Sequence, residues 1–197
     1  MFFYRLGIIL FKPFQWYASL RFVGTENIDQ IKDGTLIICN HISWKDPFYM
    51  MCSIKRRIYF MAKQELFKNR LFTYVLKQVG VFPVDRRNVG LKPIRTALDV
   101  LKSGGICAIF PEGTRSKDKQ LHKFEEGVAF IAMRCNAVVV PSYITPNKLK
   151  GHQYFIVGQP IHIATLLAPV PKEEQRTFLT KKLYEAVDAL RREISCE

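Results

Sequence analysis

A histidine and an aspartate in one short stretch, Asn40-His41-Ile42-Ser43-Trp44-Lys45-Asp46-Pro47, carry the first chemistry that this chain offers. The imidazole titrates near neutral pH, and a nearby carboxylate can hold it in one tautomer, ready to accept a proton from a hydroxyl. No Ser or Cys nucleophile is needed if that hydroxyl belongs to the substrate. Neighbours on one helical face lie three or four residues apart, so the His41–Asp46 spacing calls for a tight turn instead. A second stretch is Phe110-Pro111-Glu112-Gly113-Thr114-Arg115-Ser116. Gly113 lets backbone approach a ligand, Thr114 adds a hydroxyl donor, and Arg115 presents a planar fork suited to phosphate oxygens. Glu112 has two uses there, accepting from a substrate hydroxyl or holding Arg115. Each stretch alone also has a plain structural reading, as a helix cap and a polar turn.

The elements that must position these residues are short and alternate. Apolar runs predict strands at 35–39, 58–62, 81–84, 106–110, 137–142 and 154–157. Helical patterns lie at 47–54, 71–79, 91–102, 125–135 and 172–194, with Asp46 expected as the N-cap of the first and Pro47 in its first turn. The order points to an α/β fold, a sheet with helices on its faces. Both stretches then fall just beyond the carboxyl ends of strands, where such sheets bind ligands. Leu179, Leu183, Val187, Leu190 and Ile194 share one face of the last helix and are expected in the core.

Composition bounds the partners. The 197 residues suit one domain with a proper core, and 48% hydrophobic residues exclude a disordered chain. A formal charge of +13 favours an anionic partner: a membrane surface, a phosphorylated substrate or an acidic carrier. Nucleic acid fits poorly, because no recognition motif accompanies the charge. Five scattered cysteines form neither metal-ligand spacing nor a disulfide framework and read as buried thiols of a reducing compartment. Residues 1–17 are rich in apolar and aromatic side chains, but Arg5, Lys12 and Pro13 interrupt them. The run is too short to span a bilayer and has no evident cleavage site, so residues 1–23 are expected to lie on a membrane surface ahead of one catalytic domain at 24–197.

Taken together, N-H-x-S-x-x-D at Asn40–Asp46 and F-P-E-G-T-R-S at Phe110–Ser116 resemble the signature of the glycerolipid acyltransferases, above all the 1-acylglycerol-3-phosphate acyltransferases. Gly80-Val81-Phe82-Pro83-Val84-Asp85-Arg86 is similar to that family's middle block, and Val138-Val139-Val140-Pro141 to its fourth. Ser142-Tyr143 departs from the apolar residues usual after that proline. The resemblance implies a mixed, mostly parallel sheet flanked by helices. It implies His41 as general base and Asp46 as its orienting partner. Arg86 and the Glu112-Gly113-Thr114-Arg115 loop would hold glycerol phosphate, and Lys63 sits at a position close to the site.

By the same resemblance the chain passes an acyl group from a thioester, acyl-CoA or acyl carrier protein, to the sn-2 hydroxyl of lysophosphatidic acid. The product is phosphatidic acid, and neither metal nor cofactor is required. The expected place is the cytoplasmic face of the cell membrane. Two other readings stand beside it: an acyltransferase for glycerol 3-phosphate or another lysolipid such as a lyso-ornithine lipid, and a non-catalytic basic lipid-binding protein. His122, His152 and His162 show no partner spacing, and 116–123 reads as a mobile loop able to meet an acidic carrier.

Overall fold

Thr35-Leu36-Ile37-Ile38-Cys39 is buried along its whole length, because the strand it forms lies inside a sheet covered on both faces. The computed structural model of the chain describes residues 4–9, 19–31, 33–85, 91–146, 149 and 151–195. Its strands are β1 (Leu20–Val23), β2 (Thr35–Cys39), β3 (Ile58–Lys63), β4 (Val81–Val84), β5 (Ile106–Ile109), β6 (Val138–Ile144), β7 (Gln153–Val157) and β8 (Ile161–His162). Its helices are α1 (4–9), α2 (Glu26–Asp29), α3 (Asp46–Ser53), α4 (Arg70–Gln78), α5 (Leu91–Lys102), α6 (Gly127–Cys135), α7 (Ile163–Leu167) and α8 (Gln175–Ser195), with a 3-10 turn at Gln64–Phe67.

The strands form one sheet in the order β1-β7-β6-β2-β5-β3-β4, and β8 pairs with β6. β6, β2, β5, β3 and β4 run parallel, as do β1 and β7. The β6–β7 and β6–β8 pairs are antiparallel, so the sheet is mixed and mostly parallel, as expected. Pro83, which cannot donate to a ladder, sits in β4 at the end of this order.

Alternation along the central strands builds two cores. Leu36 and Ile38 face Ala97 and Leu101 of α5, Val128 and Ala132 of α6, and Leu179, Leu183, Val187 and Leu190 of α8. Ile37 and Cys39 face Tyr4 of α1, Ile28 of α2, and Tyr49, Met50 and Met51 of α3. The chain enters β2 through Gly34, where a Cβ would lie 2.0 Å from the Leu101 carbonyl oxygen. Only glycine allows that approach.

Most boundaries fall within two or three residues of the sequence expectation. The fold also holds elements that the apolar runs did not announce: β1, β8, α2 and α7, each five residues or shorter. Among the described residues no helix is long and apolar enough to cross a membrane. Cys39 and Cys107 are buried, and burial raises both thiols, Cys107 to about 12.

Asn40, one residue past β2, completes the central ladder with its side chain. Its Nδ2 donates to the Ile144 carbonyl at 3.0 Å, and its Oδ1 accepts from the Ile144 amide at 2.8 Å. The carboxamide stands in for a further stretch of backbone and locks the end of β2 to the end of β6. Asn40→Leu keeps the volume but orphans two buried backbone groups. It is expected to lower unfolding free energy by about 2–6 kcal/mol in urea titrations, at ~1–3 for each group. A shift under ~0.5 kcal/mol would show that Asn40 is not a structural lock.

Candidate active site

Parallel pairing of β2 with β5 brings both chemical stretches to one edge of the sheet. The register Ile38–Ile109 places His41, three residues past Ile38, level with Glu112, three past Ile109. The backbone amide of His41 donates to Glu112 Oε1 at 2.9 Å, and the Ser116 amide donates to the His41 carbonyl at 2.8 Å. The two loops are therefore bonded through the backbone of the histidine itself.

The His41 side chain is held as firmly. Asp46 Oδ2 lies 2.8 Å from His41 Nδ1 and also accepts from the amides of Ile42 and Ser43, each at 2.8 Å. Oδ2 already acts as acceptor toward two amides and serves the ring in the same way, which puts the proton on Nδ1 and the lone pair on Nε2. Phe110 stacks on the imidazole with ring centroids 4.0 Å apart and planes 17° off parallel. Asp46 is fully buried and His41 only 8% exposed, so little water competes for this pair.

Asp46 departs from the expected capping role. It is the first residue of α3; Lys45 takes the N-cap position, without a side-chain cap bond. The Asp46 carboxylate turns back instead, across the 42–43 turn, because two amides and an imidazole there need an acceptor. Pro47 does lie in the first turn of the helix.

Glu112 also differs from the simple picture of a ligand-facing acid. Its second oxygen, Oε2, accepts from the His122 amide at 3.2 Å. Burial raises this carboxyl above the ordinary range, with the amides of His41 and His122 opposing that rise. Among the described residues it makes no ion pair with Arg115, so the brace for Arg115 is not formed. Gly113 has φ +72, a left-handed conformation that turns the chain after Glu112. Thr114 and Arg115 are exposed at the rim.

Lys63 ends β3 and is exposed. From the register Phe60–Ala108 it lies level with Pro111, on the same edge as the site. Arg86 lies outside the described residues; Val84, two residues before it, pairs with Lys63. The site thus gathers His41, Asp46, Glu112, Gly113, Thr114, Arg115 and Lys63 along one edge.

Residues 116–122 are organised about Asp118. Its Oδ1 accepts from Ser116 Oγ at 2.7 Å and the Gln120 amide at 3.1 Å, and lies 2.8 Å from His122 Nε2. The Ser116 hydroxyl, the Gln120 amide and His122 bring the Asp118 carboxyl down to about 2. His122 therefore has a partner, contrary to its spacing, and so does His152, whose Nδ1 meets the Ser19 carbonyl at 3.2 Å. Ser-x-Asp-x-Gln is turn chemistry, with Asp accepting from the backbone two residues on, and was the available signal.

Two cavities open along this edge on either side of His41 in the strand order. One, of about 920 Å³, lies by the ends of β3 and β4 and includes Phe67, Lys68, Phe82, Pro83, Lys92 and Pro93 in its wall. The other, of about 220 Å³, is bounded by Lys119, Tyr143, Thr145 and Arg191 beyond the end of β6.

Known proteins resemble this chain over the span that forms this edge. A family model described as Acyltransferase matches residues 19–145, a span that contains both stretches. The chain is 36% identical over 165 residues to the 1-acyl-sn-glycerol-3-phosphate acyltransferase of Bacillus subtilis, across 80% of this chain and 81% of that one. It is 31% identical over 151 residues to the Streptococcus pneumoniae protein of the same name, across 75% and 56%. The crystal structure of the 1-acyl-sn-glycerophosphate acyltransferase of Thermotoga maritima superposes with a TM-score of 0.70 at 23% identity, covering 96% of this chain and 78% of that chain, a likeness of fold. With its matched span reaching from β1 to the end of β6, this chain belongs to the acyltransferase family.

Proposed function

We propose that this protein transfers a fatty acyl group from a thioester donor, acyl-CoA or acyl carrier protein, to the sn-2 hydroxyl of 1-acylglycerol 3-phosphate. The observation that carries the reading is the buried His41–Asp46 pair, whose 2.8 Å contact at Nδ1 leaves Nε2 to accept a proton. The names of the relatives support the choice of acceptor.

In this mechanism the sn-2 oxygen attacks the thioester carbonyl carbon while its proton passes to His41 Nε2. Asp46 accepts the Nδ1–H bond and stabilises the imidazolium. The tetrahedral intermediate collapses, the C–S bond breaks, and the imidazolium returns the proton to the departing sulfur. The products are phosphatidic acid and a free thiol. No cofactor takes part.

Arg115, Lys63 and Arg86 serve the acceptor phosphate, with Gly113 and Thr114 giving it close backbone approach and a hydroxyl. Both Glu112 oxygens already accept backbone amides, so Glu112 acts as a positioning residue for His41. The larger cavity, with Phe67, Phe82 and Pro93 beside Lys68 and Lys92, suits an amphiphile with an acyl chain and an anionic head. The enzyme works at the cytoplasmic face of the membrane. Of residues 1–23, expected to lie on the membrane surface, Leu20–Val23 form strand β1 of the sheet instead, and Tyr4 and Leu20 are buried in the core, so these residues belong to the catalytic fold.

Thiol release and phosphatidic acid formation, followed in parallel with and without lysophosphatidic acid, test this reading. Wild type is expected to release thiol only with acceptor present. His41→Ala is expected to lose ~10²-fold or more in turnover, as for a missing general base. Release without acceptor would make the protein a thioesterase instead.

The two carboxyl-edge roles separate kinetically. Glu112→Gln is expected to lower kcat by roughly ten- to a hundredfold, with acceptor KM nearly unchanged, because it misplaces the base. Arg115→Ala is expected to raise acceptor KM by roughly tenfold or more, the loss of one charge-assisted contact. The reverse pattern would assign Glu112 to the substrate.

A further inference from the structure

The helix that follows β3 turns its apolar side outward. Eight large hydrophobic side chains are exposed among the described residues, and five of them lie between Leu66 and Val75. Leu71 is 75% exposed, Phe72 48% and Val75 39%, and Leu66 of the preceding 3-10 turn is 47% exposed. Leu71 and Val75 are four residues apart and Phe72 and Val75 three, so they form one continuous surface on α4. No residue of α4 is fully buried. Polar bonds help fasten the helix: Thr73 Oγ1 donates to the Phe67 carbonyl at 2.8 Å, and Arg57 Nη2 to the Gln78 carbonyl at 2.9 Å.

Charge specifies what this surface meets. Lys63, Lys68, Arg70 and Lys77 are exposed along the same segment, against one acid, Glu65. Arg70 and Lys77, seven residues apart, form a row alongside the apolar one. A protein partner of ordinary surface would match an apolar patch or a cationic row; a bilayer with anionic headgroups matches both at once, apolar side chains entering the acyl boundary and cations meeting phosphate. α4 follows the carboxyl end of β3, on the edge that carries His41. At its far end Val79 lies against α1, where a Cβ on Gly7 would meet Val79 Cγ1 at 3.9 Å, and Ile9 of α1 is itself 60% exposed.

We propose that α4 and the 3-10 turn before it form a docking surface for an anionic lipid bilayer, setting the carboxyl edge of the sheet against the membrane. The inference rests on the acyltransferase reading for the lipid nature of the substrate, and on geometry for the rest. It assigns membrane contact to the catalytic fold itself.

The test is vesicle co-sedimentation of the full chain, using phosphatidylcholine alone and phosphatidylcholine mixed with phosphatidylglycerol. Leu71→Ser/Phe72→Ser/Val75→Ser is expected to weaken binding to the mixed vesicles by ~10-fold or more. Arg70→Glu/Lys77→Glu is expected to lose the preference for anionic over neutral vesicles. Both variants keep the wild-type unfolding midpoint, since the altered side chains are exposed, and both keep wild-type turnover of a water-soluble short-chain acceptor. Undiminished vesicle binding by the triple variant overturns the proposal. So does a wild-type dimer that the triple variant dissolves without any change in vesicle binding, which assigns the face to a second copy. If wild type transfers no acyl group but its vesicle binding still depends on α4, the functional reading fails and the docking surface stands.

Discussion

A buried carboxylate joins the two halves of the site. Glu112 lies inside the protein, where desolvation raises its pKa, and the amides of His41 and His122 are what make its charge tolerable there. Such a group is costly to keep unless it organises something. Here it fixes the backbone of His41 against the loop after β5, while the Ser116 amide grips the same residue from the other side. The catalytic histidine of this account is thus placed by the β5 loop as much as by its own strand.

The parallel sheet makes that arrangement possible. Loops after adjacent parallel strands emerge side by side, so β2 and β5 deliver His41 and Glu112 to the same level, and β3 delivers Lys63 beside them. Asn40 fixes the end of β2 on the other flank by bonding Ile144 of β6. With backbone locked on both flanks, the Asp46 carboxylate fixes the 42–43 turn and the imidazole ring together, and Phe110 restricts the plane of the ring. Preorganisation of this kind spares the reaction the entropy of assembling its base.

The sequence made part of this legible. Thr35-Leu36-Ile37-Ile38-Cys39 reads as a buried strand because apolar runs of that length have few other uses, and it is one. His41 and Asp46 were recognisable by residue type and by Pro47, which marks the first turn of the helix that Asp46 opens. The service of Glu112 to His41 was not, because it depends on β2 and β5 being neighbours, a contact between residues 41 and 112 that no local pattern encodes. For α4 the periodicity gave the helix but not the direction of its stripe; an amphipathic pattern alone suggests burial, and the fold turns Leu71 and Phe72 to the outside. β1 escaped notice because a four-residue edge strand carries little alternation.

The most direct measurement is a crystal structure of the protein with 1-acylglycerol 3-phosphate bound and no donor present. The account predicts the sn-2 oxygen within about 2.6–3.2 Å of His41 Nε2 and the phosphate at Arg115. A hydroxyl turned away from Nε2, with the phosphate held elsewhere on the protein, would contradict it.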